Sequence, residues 1–117
     1  MSRAVHACVV LVTVPVLSEA ERIVAALIEA RLAACGIILP GVRSIYTWHG
    51  AVERADEVLV LLKTTQAQLP ALTERVAELH PYDVPEVLAL PVLGGLTAYL
   101  DWVDASTGPM PSEEEVD

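Results

Sequence analysis

The chain has only two cysteines, Cys8 and Cys35, far apart and each in apolar surroundings. No C-x-x-C pair occurs, so neither a zinc ribbon nor a dithiol redox site is signalled, and both read as buried, reduced thiols. Basic residues are equally scarce. Seven Lys and Arg stand against sixteen Asp and Glu, giving a net charge of −9. Phosphate binding needs clustered cations, so nucleic acid is excluded as a partner. Four of the acids, Glu113, Glu114, Glu115 and Asp117, sit in the tail, which leaves about −5 on the folded part, an ordinary solubility charge. No apolar run approaches the roughly 18 residues of a membrane span. The first six residues lead into a strand-like run without a basic leader or cleavage site, which predicts a cytoplasmic protein with no membrane partner.

Apolar residues are abundant: 54 % of 117, with a mean hydropathy of +0.50. A chain of this length holds one domain and one modest core. The surplus apolar surface has to be covered, and contacts between copies of the chain are the natural cover.

Residues 5–14 (VHACVVLVTV) are apolar and β-branched nearly throughout, as in a central strand covered on both faces. Ser18 and Glu21 have capping-box spacing at the start of a helix. Its apolar stripe is Ile23, Val24, Leu27, Ile28, Leu32 and Cys35, and Gly36 is placed for a left-handed C′ position. Residues 37–39 and 42–49 form a strand broken at Pro40-Gly41. There Val42, Ser44, Tyr46 and Trp48 share one face, and a polar turn from Gly50 to Arg54 follows. Residues 56–65 (DEVLVLLKTT) return as the second arm of a long hairpin. A second helix has Pro70 in its first turn and a stripe of Leu69, Leu72, Val76 and Leu79; His80-Pro81 ends it. Residues 84–90 read as an edge strand, and Gly94-Gly95 leads to a short helix with Leu96, Tyr99, Leu100 and Val103 inward. The order is a ferredoxin-like split β-α-β-β-α-β with a short C-terminal helix and an antiparallel sheet. It occupies residues 1–105; residues 106–117 lack apolar periodicity and read as an acidic disordered tail.

Several short segments, in this order and spacing, resemble the CutA family of divalent cation tolerance proteins. They are 10–15 (VLVTVP), 31–35 (RLAAC), 39–46 (LPGVRSIY), 48–50 (WHG), 57–65, 80–82 (HPY), 84–86 (VPE) and 99–102 (YLDW). The resemblance implies a homotrimer of ferredoxin-like subunits whose long hairpin reaches a neighbour. It also implies a link to copper and other divalent metals, and an architecture like the PII signalling trimers. Two positions depart from the family pattern. Gly36 replaces an Asn, and His49 replaces a Glu.

Within that resemblance, Trp48, Lys63, Tyr82 and Glu86 are the candidate lining of an inter-subunit cleft for a small anionic or amphiphilic ligand. The same residues also read as a Lys63–Glu86 ion pair beside aromatics that fill an interface. Cys35 and His80 are the candidate ligands for Cu2+ or another divalent cation, although their spacing alone builds no site. His6 and Cys8 form a weaker pair, two residues apart on one strand. The functional expectation is a non-catalytic homotrimer in divalent metal (copper) tolerance. The alternatives are a PII-like small-molecule signalling trimer without a metal role and an acylphosphatase-type hydrolase. The hydrolase lacks an arginine-bearing anion loop after the first strand, and a ferredoxin-like metallochaperone lacks its C-x-x-C there.

Overall fold

The computed structural model describes residues 5–110. The elements run β1 (Ala7–Val14), α1 (Leu17–Glu29), β2 (Cys35–Trp48), β3 (Ala51–Thr65), α2 (Leu69–Leu79), β4 (Leu88–Pro91) and α3 (Thr97–Ala105). The sheet order is β2-β3-β1-β4 and every pairing is antiparallel. This is the expected split β-α-β-β-α-β arrangement with a third, C-terminal helix. Among the described residues, no helix is long and apolar enough to cross a membrane.

Strand alternation divides the sheet into two unlike faces. Val10, Val12, Val60 and Leu62 point to one side, where Ile23 and Leu27 of α1 and Leu72 and Val76 of α2 complete a fully buried core. The opposite face is built from cross-strand rows. Ile37, Leu61, Leu11 and Leu88 align in one row, and Leu39, Leu59 and Thr13 in the next. Ile37, Leu39, Leu88 and Leu90 are exposed on that face. The single chain thus leaves an aliphatic sheet face open, as the two-sided hydrophobicity of β1 and β3 predicts.

The ends of α1 differ from expectation. The helix begins at Leu17, with Val16 extended (φ −143°, ψ 157°) at the N-cap and no side chain bonded to the free amides. Ser18 therefore lies inside the first turn and makes no capping box. Glu19 pairs instead with Arg22, whose Nη2 also donates to the Leu79 carbonyl at 2.7 Å, tying α1 to the last turn of α2. The helix stops at Glu29, so Leu32 and Cys35 lie beyond its stripe, and Ile28 is exposed. Arg31 takes the left-handed conformation (φ 58°) assigned above to Gly36. The Leu32 amide bonds to Leu27 O and the Arg31 amide to Ile28 O, the two bonds of a Schellman close. A side chain at positive φ is strained. Here it is held by donation from Arg31 Nε to Gly108 O and from Nη2 to Ala105 O, both at 2.7 Å. The chain after α3 is thereby docked as far as Gly108, and Thr107 is buried. Residues 111–117, the rest of the expected disordered segment, lie outside the described residues.

Gly36 sits in β2 opposite Leu62, for a steric reason rather than a conformational one. An added Cβ would lie 2.6 Å from Val24 Cγ1 and 3.2 Å from Leu62 Cδ2. The hairpin is also tighter than expected. His49 (φ 49°) and Gly50 (φ 79°) alone join β2 to β3, a two-residue type I′ turn, and β3 starts at Ala51. Of the residues expected inward at α3, Val103 is buried and Leu100 half-buried, whereas Leu96 and Tyr99 are exposed. The crowding at Gly36 gives a direct test. Gly36→Ala should lower stability by about 1–3 kcal/mol in a thermal melt, and adding Val24→Ala should recover part of the loss. Equal melting of Gly36→Ala and wild type would contradict the packing.

Candidate functional site

A register shift builds the site. Leu39 pairs with Leu59, but Val42 pairs with Glu57, so β2 carries one more residue than β3 between these rungs. Gly41, at φ 80°, absorbs the extra residue as a β-bulge. An inserted residue exchanges the faces of everything beyond it. Ser44, Tyr46 and Trp48 are thus turned to the same side as Glu57, continuing the open face of the sheet.

The linker from α2 to β4 closes the other side. His80 caps α2 in an extended conformation (φ −77°, ψ 140°) and is buried. Its Nε2 donates to the Thr13 carbonyl at 2.7 Å, and its Nδ1 accepts the Tyr82 amide at 3.1 Å. A carbonyl can only accept and an amide can only donate, so the partners assign a neutral ring protonated at Nε2. This pin turns residues 81–84 around the end of the sheet toward β2 and β3.

Between linker and hairpin lies a groove of about 670 Å³, lined by Thr13, Ser44, Ile45, Tyr46, Trp48, Glu57, Pro81, Tyr82, Asp83, Val84 and Glu86. Glu57 is its buried carboxylate, only 6 % exposed. Tyr82 Oη donates to Glu57 Oε2 at 2.9 Å. The phenol pKa is pushed up to about 12, first by burial, then by the hydrogen bond to Glu57 and the carboxylate charge.

Of the expected cleft residues, Trp48, Tyr82 and Glu86 meet in this groove, and Lys63 does not. Lys63 is six residues along β3 from Glu57, about 20 Å away in an extended strand. It forms no ion pair with Glu86. Its Nζ donates to Tyr99 Oη at 3.1 Å and lies 5.3 Å from the Tyr99 ring centroid. That hydrogen bond raises the lysine pKa. Cys35 pairs with Lys63 across the ladder, and its Sγ is 3.7 Å from the same phenol.

Cys35 and His80 are not brought together, since Cys35 lies opposite Lys63 while His80 holds Thr13, opposite Leu59. Four residues of β3, about 13 Å of strand, separate those rungs. Among the described residues, no group of three or more His, Cys, Asp or Glu is placed to share a metal ion. His6 and Cys8 are divided by burial: His6 is exposed, while Cys8 is in the core and its thiol pKa is raised by desolvation. Sequence reasoning missed Glu57 as the buried carboxylate of the groove. Its position in an apolar strand, followed by Val58-Leu59, was the available signal.

The phenol yields a pH prediction. Its folded pKa lies above the unfolded value near 10, so the associated stability is complete below pH 10 and is lost as pH rises toward about 12. Phenolate absorbance should show one late-titrating tyrosine. Glu57→Gln should lower that midpoint but leave it above the ordinary value, because burial is the larger cause.

The comparisons with known proteins agree with this architecture. The family model described as "CutA1 divalent ion tolerance protein" matches residues 8–106. The divalent-cation tolerance protein CutA of Thermus thermophilus is 53 % identical over 100 residues, covering 86 % of this chain and 97 % of that protein. The solved structure of the Thermus thermophilus protein superposes with a TM-score of 0.86 at 52 % identity, covering 87 % of this chain and 99 % of that one. The Oryza sativa CutA1 structure gives a TM-score of 0.87 at 46 % identity, covering 92 % and 98 % of the two chains. The full-length rice relative is named chloroplastic, and this chain spans 60 % of it. A structure from Archaeoglobus fulgidus, described as periplasmic, gives 0.83 at 36 % identity, covering 86 % and 97 %. With the family model spanning β1 to α3 and the same sheet shared by bacterial, archaeal and plant relatives, the chain belongs to the CutA1 divalent ion tolerance family.

Proposed function

We propose that this chain acts in divalent cation tolerance as a non-catalytic homotrimer, binding a small ligand in the groove between linker and hairpin or a metal ion through Cys35 or His80. The observation that carries the reading is the open sheet face, on which β1, β2, β3 and β4 all present aliphatic side chains. Such a face is stable in water only when another apolar surface covers it. The groove lies at the end of that same face, so a neighbour covering the face stands beside it and makes it an inter-subunit cleft. The non-catalytic part rests on His80, whose two ring nitrogens are committed to the main chain rather than to a nucleophile. A cytoplasmic location belongs to the proposal, supported by two cysteines that are both free thiols, as suits a reducing compartment.

Copper favours sulfur and imidazole donors. One chain does not assemble such a set among its described residues, so a copper site through Cys35 or His80 takes its remaining donors from elsewhere in the assembly. On His80 the only lone pair for a metal is that of Nδ1, now held by the Tyr82 amide.

Light scattering should report three chains of 12.5 kDa each. Leu61→Lys, in the central row of the open face, should yield monomers that retain helical and strand circular dichroism. A wild-type monomer would remove the trimer. For the ion, equilibrium dialysis with Cu(II) should show less metal per chain in Cys35→Ser and His80→Ala; unchanged stoichiometry in both would place the ion on other residues.

A further inference from the structure

We infer that the groove selects an organic cation, an ammonium or guanidinium group carried on a small apolar body, with Glu57 as its counter-ion and aromatic side chains as its walls. The inference rests on the groove being the ligand site and adds the chemical class of the ligand. Glu57 lies more than nine-tenths buried in the groove, and only its Oε2 is engaged, by Tyr82. Among the described residues, no hydrogen bond or salt bridge reaches Oε1, yet that atom is not sealed from the surface. A buried carboxylate with one free oxygen calls for a cation. The Tyr82 phenol keeps its proton and fixes the other oxygen, which holds the free one in place.

The surroundings are selective in the same sense. Asp83 and Glu86 add two exposed carboxylates on the linker side, and no Lys, Arg or His belongs to the lining. Among the described residues of one chain, the groove offers an anionic ligand only like charge. Tyr46, Trp48 and Tyr82 contribute aromatic rings to the lining, and such rings attract a cation within about 6 Å of their centroids. Val84 supplies apolar surface for the body of the ligand. A hard divalent cation fits less well, because it requires about six converging oxygens. No three acidic, cysteine or histidine side chains among the described residues are placed to share one ion.

The test is isothermal titration calorimetry on the full chain in its assembled form. The probes are 2-phenylethylamine, its matched anion 3-phenylpropionate and, separately, Mg2+ and Cu2+. The amine should bind and the anion should not. Glu57→Gln preserves the shape and can still accept from Tyr82; it should weaken amine binding about tenfold or more, while Glu57→Asp retains part of the affinity. Should Glu57→Gln fail to fold, Trp48→Ala and Asp83→Asn, both on exposed residues, should each weaken the amine. Binding of the anion as tightly as the amine overturns the cation assignment and leaves the groove as the ligand site. Metal binding lost in Glu57→Gln, with no amine binding in wild type, likewise overturns the organic cation alone. No response of any probe to Glu57→Gln, Trp48→Ala or Asp83→Asn overturns both readings.

Discussion

The two-sided hydrophobicity of the central strands is the constraint on which the rest depends. β1 and β3 form the middle of the sheet, and each places aliphatic residues on both faces. One side is satisfied within the chain by α1 and α2. Among the described residues, the other is sheltered within the chain only at one end, where α3 packs against β1 and β3 and Tyr99 receives Lys63. Ile37, Leu39, Leu88 and Leu90 stay exposed on the rest of it, an apolar surface of the kind that marks a contact site.

The groove is a consequence of irregularity in that sheet. A regular β2 would have turned Arg43, Ile45 and Thr47 toward Glu57. One extra residue at Pro40-Gly41 turns Ser44, Tyr46 and Trp48 there instead, changing the chemistry of the site without changing the fold. The linker contributes through hydrogen bonds as well as through Val87, which packs against the core. His80 satisfies a strand carbonyl and a linker amide at once, and the segment carrying Tyr82, Asp83 and Glu86 is held against the sheet end. A buried imidazole used in this way is a structural strut, and a metal would have to take its Nδ1 from the Tyr82 amide.

The polar pairs fall at opposite ends of the open face. Glu57 and Tyr82 occupy one end, Lys63, Tyr99 and Cys35 the other. Each end places a phenol against one charged group, and the charges have opposite sign.

Much was legible in the sequence because it depends on local rules. The β-branched runs specify strands, Pro70 and His80-Pro81 bound α2, and the Pro40-Gly41 break marks the bulge. Trp48, Tyr82 and Glu86 could be grouped because a split β-α-β-β-α-β order brings their segments to one end of the sheet. Other features were not legible because they depend on contacts between distant residues. Gly36 looked like a helix cap, but the side chains of Val24 and Leu62 decide that it must lack a Cβ. Arg31 takes the left-handed position, with its guanidinium held by carbonyls after α3. Lys63 was grouped with Glu86 by type, whereas strand register places it beside Tyr99. The amino-acid order by itself determined the elements, their succession and the excess of apolar surface, since these follow from periodicity and backbone preference. Only the tertiary structure decided which polar groups meet, because register, bulge and linker path set distances that no local spacing encodes.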